Sequence, residues 1–259
     1  MKTFLSENTV DYTSYTFNYA KYCVMEDRVE LTEIYDLGFL PYSADLRIDK
    51  EIFYLARSLR VDTERFDDSS ENRRVNRAVE PLGIDMEVIA KEDFDLDGEK
   101  FRAFCEKYIN ERIGDENMST ERLNYILSRN VGTHIFRFFN AEQDFGYIIG
   151  VMNEDILHYW FAFFDTQYMR SHSLGKWLMW RTIRWATDKG KKHVYLGTAY
   201  KPSALYKIRD HKGLSFFDGT KWNSDINTLK AWCKTDEEPM PADRFKQLPN
   251  PNEFIEDLK

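Results

Sequence analysis

Between Arg170 and Lys176 the chain reads Arg-Ser-His-Ser-Leu-Gly-Lys. These residue types suit the start of a helix that holds an anion. The first N–H groups of a helix lack intrahelical partners, and the dipole is positive there, so phosphate binds readily. Ser171 and Ser173 are candidates to cap the helix, and Gly175 would let a ligand approach the backbone. An ordinary serine-capped helix with a packing glycine accounts for the same residues. A second cluster is Ser69-Ser-Glu-Asn-Arg-Arg74. Paired guanidinium groups at Arg73 and Arg74 could grip a carboxylate bidentately. Simple charge balance with Asp67, Asp68 and Glu71 is the other reading. The five histidines show no metal-ligand spacing and are read as structural, with His172 the only one beside the anion-type junction. There is no G-x-S-x-G elbow and no Cys–His pair signature.

The elements that must position these residues can be read from periodicity. Ile156 to Phe164 is a short apolar and aromatic run closed by Asp165, a buried strand. Leu174, Trp177, Leu178, Ile183 and Trp185 recur at roughly helical spacing, and Gly190 stops the helix. His193 to Tyr200 is a second strand. Ser203 to Asp210 fits a short helix after Pro202, and Leu214 to Trp222 a strand or hairpin around Asp218-Gly219. Upstream, 131–140 and 145–153 read as strands that complete an antiparallel meander with 156–164. Phe101, Phe104, Cys105, Tyr108 and Ile109 mark one face of a helix over 97–112, and Ser119 caps another over 121–129. Further strands are expected at 53–61 and 85–90, with a short helix at 31–38. Residues 1–50 otherwise read as loops and short strands.

Composition narrows the function classes. The chain has 259 residues, is 42% hydrophobic and 15% aromatic, and has no apolar run near the roughly 20 residues of a membrane span. The first residues lack a signal-peptide core, and the three cysteines are scattered with no C-x-x-C pair. Both features predict a cytoplasmic protein without a structural metal. The net charge of −8 argues against indiscriminate nucleic-acid binding. Yet from Ser171 to Gly213 ten basic residues face only Asp188 and Asp210, which suits a phosphate-bearing partner. A solvated helix face with turn lysines is the alternative.

The run from Arg170 to Gly175 resembles the R/Q-x-x-G-x-G/A phosphate loop of GNAT acyltransferases, with Ser173 in place of the first glycine. More widely, four short signatures occur in the order found in arginyl-tRNA–protein transferases and their bacterial leucyl-transferring relatives. They are Phe164-Asp165, Ser173-Leu174-Gly175, Tyr195-Leu196-Gly197 with Tyr200, and Tyr206-Lys207. Gly38-Phe39 with Tyr42 and Ser43, and the Ser-x-x-x-Arg-Arg segment, resemble that family again. The cysteines that follow the first of these in the family are absent here.

The resemblance implies an α+β, GNAT-like mixed and mainly antiparallel sheet flanked by helices, with an N-terminal α/β extension. It divides the chain into 1–96, an acyltransferase core at 97–233, and an acidic, proline-containing tail at 234–259. It also implies attack of an amine on an activated acyl group. Asp165 would accept the amine proton, and Tyr206 would protonate the leaving group. Arg170, Ser171, Ser173, Leu174, Gly175, Lys176 and Lys207 would hold the donor. Arg73, Arg74 and Tyr200 would hold the acceptor. The donor implied is aminoacyl-tRNA, with no tightly bound cofactor, and the acceptor a protein or peptide with an acidic N-terminus. An acyl-coenzyme A-dependent N-acyltransferase and a non-catalytic binding module of the same fold are the competing readings.

Overall fold

The computed structural model describes residues 1–11, 16–43, 50–114 and 117–236. Twelve strands are described: β1 Lys2–Asp11, β2 Thr16–Met25, β3 Phe39–Pro41, β4 Glu51–Leu55, β5 Ser58–Asp62, β6 Asp85–Ala90, β7 His134–Phe139, β8 Asp144–Met152, β9 Ile156–Phe164, β10 His193–Thr198, β11 Leu214–Phe217 and β12 Trp222–Asn223. The helices are α1 Leu31–Asp36, α2 Ser70–Val79, α3 Glu99–Tyr108, α4 Thr120–Ser128, α5 Tyr168–Ser171, α6 Leu174–Asp188 and α7 Ile226–Thr235. A four-stranded sheet runs β1-β2-β4-β3, and an eight-stranded sheet runs β12-β11-β5-β10-β9-β8-β7-β6. All pairings are antiparallel except β9 with β10. The expected mixed, mainly antiparallel sheet flanked by helices is therefore what the chain forms.

Period-two alternation sends neighbouring side chains to opposite faces of the large sheet. Phe136, Phe138, Ile148 and Leu157 pack with Leu174, Leu178 and Ile183 of α6 and Val75 and Val79 of α2. On the other face, Ile135, Tyr147, Ile149 and Phe163 pack with α3 and α4 through Phe101, Cys105, Leu123 and Ile126. Val151, Ile156 and Tyr195, also on that face, pack with Tyr35, Phe39 and Phe53 of the small sheet and α1.

Three expectations are corrected. Residues 53–61 are not one strand. They break at Ala56-Arg57 into β4 in the small sheet and β5 in the large one. The break is held by Arg57, whose guanidinium pairs with Asp236 at 2.9 Å and whose N–H donates to the Tyr200 hydroxyl at 2.8 Å. Second, the large sheet takes β5 and β6 from before residue 96, so its strands do not divide there. Third, the region before residue 50 contains the ten-residue strands β1 and β2 rather than loops and short strands. α7 adds a helix the periodicity did not suggest, and of the tail expected at 234–259, residues 237–259 lie outside the described residues. No helix among the described residues is long and apolar enough to cross a membrane.

The feature that makes room for chemistry is a fork. β9 and β10 pair in parallel only from His193↔Ile156 to Tyr195↔His158. Beyond that, β10 bulges between Tyr195 and Gly197 and continues with β5 alone, while β9 continues with β8 to Phe164. The unpaired edges leave a gap at the C-terminal end of both strands.

Candidate active site

A cavity of about 540 Å³ fills this fork. One wall is β9 from His158 to Ala162 with Phe164, and the other is Leu196, Gly197 and Thr198 of β10. Ser173, Gly175, Lys176 and Met179 at the start of α6 close one end with Tyr206 and Lys207. Leu40, Pro41, Ser43 and Tyr54 of the small sheet and Arg122 also line the cavity, as do Tyr108 and Arg112, which lie near Tyr206.

At the α6 start the sequence reading is partly corrected. Ser173 sits in the left-handed region, φ 54°, ψ 41°, and its side chain caps nothing. Ser171 does not cap either: its hydroxyl meets His172 Nδ1 at 2.8 Å. The position where the GNAT loop has its first glycine thus has a glycine-like backbone here although the residue is serine. Among the described residues, the amides of Ser173, Leu174 and Gly175 have no backbone acceptor, whereas those of Lys176 and Trp177 bond the Ser173 carbonyl. Gly175 is needed for packing: a Cβ there would lie 2.7 Å from the Phe164 ring. Leu174 is fully buried in the core and contributes its amide alone.

Five of the sequence candidates line the cavity: Ser173, Gly175, Lys176, Tyr206 and Lys207. Lys176 is held by Glu71 at 3.3 Å and Asp210 at 3.1 Å. Arg74 binds the same Glu71 at 2.7 Å, and this bond, with Lys176 helping, pulls the Glu71 carboxyl down to about 2. Lys207 donates to the Thr198 carbonyl at 3.2 Å and pairs with no carboxylate among the described residues, and burial lowers its ammonium to about 8. Tyr206 is 46% exposed as a residue, but the cavity wall crowds its hydroxyl and raises it to about 12. Desolvation is the larger cause, followed by Tyr108.

The other candidates lie outside the cavity lining. Asp165 serves the turn into α5: its carboxylate accepts from the Gln167 amide at 3.0 Å and is 3.9 Å from Lys107 Nζ. Arg170 and Ser171 are exposed on α5. Arg73 and Arg74 are exposed on α2, Arg73 donating to the Asp68 carbonyl at 2.8 Å. They do not flank one groove with Asp165, because α2 packs against α6 on the face away from the small sheet. Tyr200 stacks under the Arg57 guanidinium at 4.7 Å. Part of the basic run is also answered: besides Lys176, Arg184 pairs with Asp68, Lys192 with Asp155 and Lys212 with Asp67.

Three residues that matter to the cavity were missed. His158, not His172, is the histidine on its wall, 2% exposed, with Nδ1 2.9 Å from the Tyr35 hydroxyl and Nε2 without a partner. Burial, then Lys207, lowers it to about 3, so it is neutral. Its signal was present: it is the one strongly polar residue inside an apolar strand, and such a group must find a reason to be buried. Arg112 and Arg122 had no sequence signal. Arg122 donates to Ser43 Oγ at 3.0 Å and to the Asn117 carbonyl, while its Nε is buried without a partner. The cavity therefore has four cationic side chains and, among the described residues, no carboxylate in its lining. No cluster of potential metal ligands occurs among the described residues.

Residues 73–207 match the profile of the acetyltransferase (GNAT) domain, which spans the fork, α6 and the segment bearing Tyr206 and Lys207. No curated protein matches the chain. Among solved structures, the C-terminal domain (DUF2156) of a candidate lysylphosphatidylglycerol synthetase from Agrobacterium fabrum aligns over 72% of this chain and 57% of its own length, with 11% identity and TM-score 0.46. L-PGS from Bacillus licheniformis aligns over 78% and 68%, with 13% identity and TM-score 0.44. A conserved Staphylococcus epidermidis protein of unknown function aligns over 73% and 66%, with 11% identity and TM-score 0.36. The chain thus spans little more than half the length of the first of these structures.

Proposed function

The chain belongs to the acetyltransferase (GNAT) domain family, and from that premise we propose that it is an aminoacyltransferase. It moves an aminoacyl group from aminoacyl-tRNA to the N-terminal amine of an acidic protein or peptide. The observation that carries this reading is the forked cavity, whose described lining has four cationic side chains, the start of α6 and no carboxylate. The order of the Ser173-Leu174-Gly175, Tyr195-Leu196-Gly197 and Tyr206-Lys207 signatures supports a tRNA ester as donor.

Under this reading the free amides of Ser173 to Gly175, with Lys176 and Lys207, bind the phosphate and ribose end of the donor. Arg112 and Arg122 bind the acceptor carboxylate, a role that the sequence alone suggested for Arg73 and Arg74. The amine nitrogen attacks the ester carbonyl carbon, the C–O bond to ribose breaks, and one proton passes from nitrogen to the leaving oxygen. Tyr206 carries that proton. Its raised hydroxyl stays protonated at neutral pH, donates to the departing alkoxide, and recovers a proton from the new amide nitrogen. Asp165 has no part in this path.

An acyl-coenzyme A donor is the second reading, favoured by the left-handed Ser173 and the amides behind it, which would also hold a pyrophosphate. A transfer assay decides. Aminoacyl-tRNA and acetyl-coenzyme A are offered separately, each with acidic and neutral N-terminal peptides, and products are weighed by mass spectrometry. Aminoacyl transfer favouring acidic peptides is expected. Acetyl transfer alone would establish the second reading, and transfer from neither donor would leave a binding module.

A further inference from the structure

We propose that His158 is a catalytic residue of this site, its Nε2–H donating to the oxyanion that forms on the acyl carbonyl. The inference rests on acyl transfer as the reaction, and it applies to an ester or a thioester donor alike. His158 is the last residue of β9 paired with β10, so its ring stands at the base of the fork. The Tyr35 hydroxyl is fully buried, and its one recorded partner among the described residues is His158 Nδ1 at 2.9 Å. A buried hydroxyl must place its proton on an acceptor. The Tyr35 O–H therefore donates to Nδ1, and a neutral imidazole with Nδ1 accepting carries its proton on Nε2. Nε2 is then a buried donor with no acceptor among the described residues, on the cavity wall.

Across the fork, Gly197 supplies the space. Its φ of +80° lies where L side chains rarely go, and it forms the bulge at which β10 leaves β9. A Cβ there would lie 3.9 Å from His158 Nε2 and 3.5 Å from Lys207 Nζ. The volume the glycine leaves empty is thus bordered by two N–H donors. As the amine bonds to the acyl carbon, the carbonyl π pair moves onto oxygen, and the fixed donors stabilise that charge. The pair returns when the C–O or C–S bond breaks. The imidazole itself neither gains nor loses a proton. A neutral donor held in place before the charge appears is the arrangement that stabilises a transition state more than a ground state.

The test combines turnover with a readout that needs no turnover. In the whole chain labelled with ¹⁵N-histidine, the nitrogen shifts of His158 should report the Nε2–H tautomer, and Tyr35→Phe should allow the other tautomer. His158→Leu should lower kcat by roughly 10²–10³-fold with KM for the donor changed little, the usual cost of losing one oxyanion donor. His158→Gln, which keeps an N–H near the same reach, should recover most of that loss. Thermal unfolding of each variant checks that it is folded. An Nδ1–H tautomer in the unmodified protein would overturn the proposal, as would full turnover in His158→Leu or a folded His158→Gln as slow as the leucine variant. An unmodified chain that transfers from neither donor would overturn the acyl-transfer reading instead, and the tautomer would still decide what His158 presents to the cavity.

Discussion

Tyr206 and Ser173 show how one residue type can be right or wrong for its place. A tyrosine hydroxyl raised to about 12 is a poor base and a proton source that never ionises at working pH. An alkoxide leaving from a tRNA ester needs that proton more than a thiolate does. We expect Tyr206→Phe to slow transfer from an ester by about 10²-fold, to slow a thioester less, and to leave donor affinity nearly unchanged. Equal turnover with an ester would make Tyr206 a packing residue. Ser173 has the opposite relation to its position. The left-handed conformation costs a non-glycine residue roughly 1–2 kcal/mol, part of which glycine returns through its freer unfolded state. Ser173→Gly should therefore leave stability unchanged or raise it by up to about 1 kcal/mol, measured by urea unfolding. A loss larger than that would mean the serine side chain holds the loop.

At the scale of elements, the site is a consequence of strand pairing. β10 keeps its antiparallel partner β5 along its six residues but loses its parallel partner β9 after Tyr195, where it bulges before Gly197. The small sheet then covers the fork through Leu40, Pro41 and Tyr54, while the chain after α3 brings Arg112. This placement separates two arginine pairs that look alike in sequence. Arg122→Ala should raise KM for acidic acceptors by about tenfold or more, the scale of a charge-assisted hydrogen bond, and leave neutral acceptors within a few-fold. Arg73→Ala, on the exposed face of α2, should change neither. A kinetic comparison of the two variants on paired peptides checks this, and the reverse ranking would return the acceptor site to α2.

For the whole molecule, an acidic chain surrounds a cationic cavity. The net charge of −8 keeps weak contacts with nucleic acid from dominating, and under the proposed function the cavity's four cations would favour an anionic ligand that can reach them. Burying Lys207 without a carboxylate has a stability cost. Its ammonium titrates near 8 in the folded chain and near 10.5 when exposed. Between those values the unfolded chain binds more protons, so this group makes stability rise with pH from about 8 to 10.5. Below 8 the full cost is present. Lys207→Met should raise the unfolding temperature at pH 7 by a few degrees, at about 2–4 °C per kcal/mol for a chain of this size, and should flatten the rise above pH 8. It should also weaken donor binding. An unchanged pH profile of Tm would show that Lys207 is not desolvated.

Sequence alone determined what depends on local order. The period-two runs of β7, β8 and β9, the helical spacing of α6, the stop at Gly190 and the hairpin at Asp218-Gly219 were legible because backbone geometry repeats over a few residues. So was the segment that supplies Ser173, Gly175, Lys176, Tyr206 and Lys207, since these lie within one stretch of chain. What only the tertiary structure decided depends on which strands become neighbours. Phe53 to Val61 reads as one strand whether it pairs in one sheet or two, so its break at Ala56-Arg57 could not be seen. Asp165 and Tyr200 stand near the ends of the right strands but are taken up by a turn and by Arg57. His158 meets Tyr35, 123 positions away, and Arg112 and Arg122 line the same cavity as β10. No spacing rule reaches that far, because such contacts are set by the packing of the small sheet and α3 on one face of the large sheet.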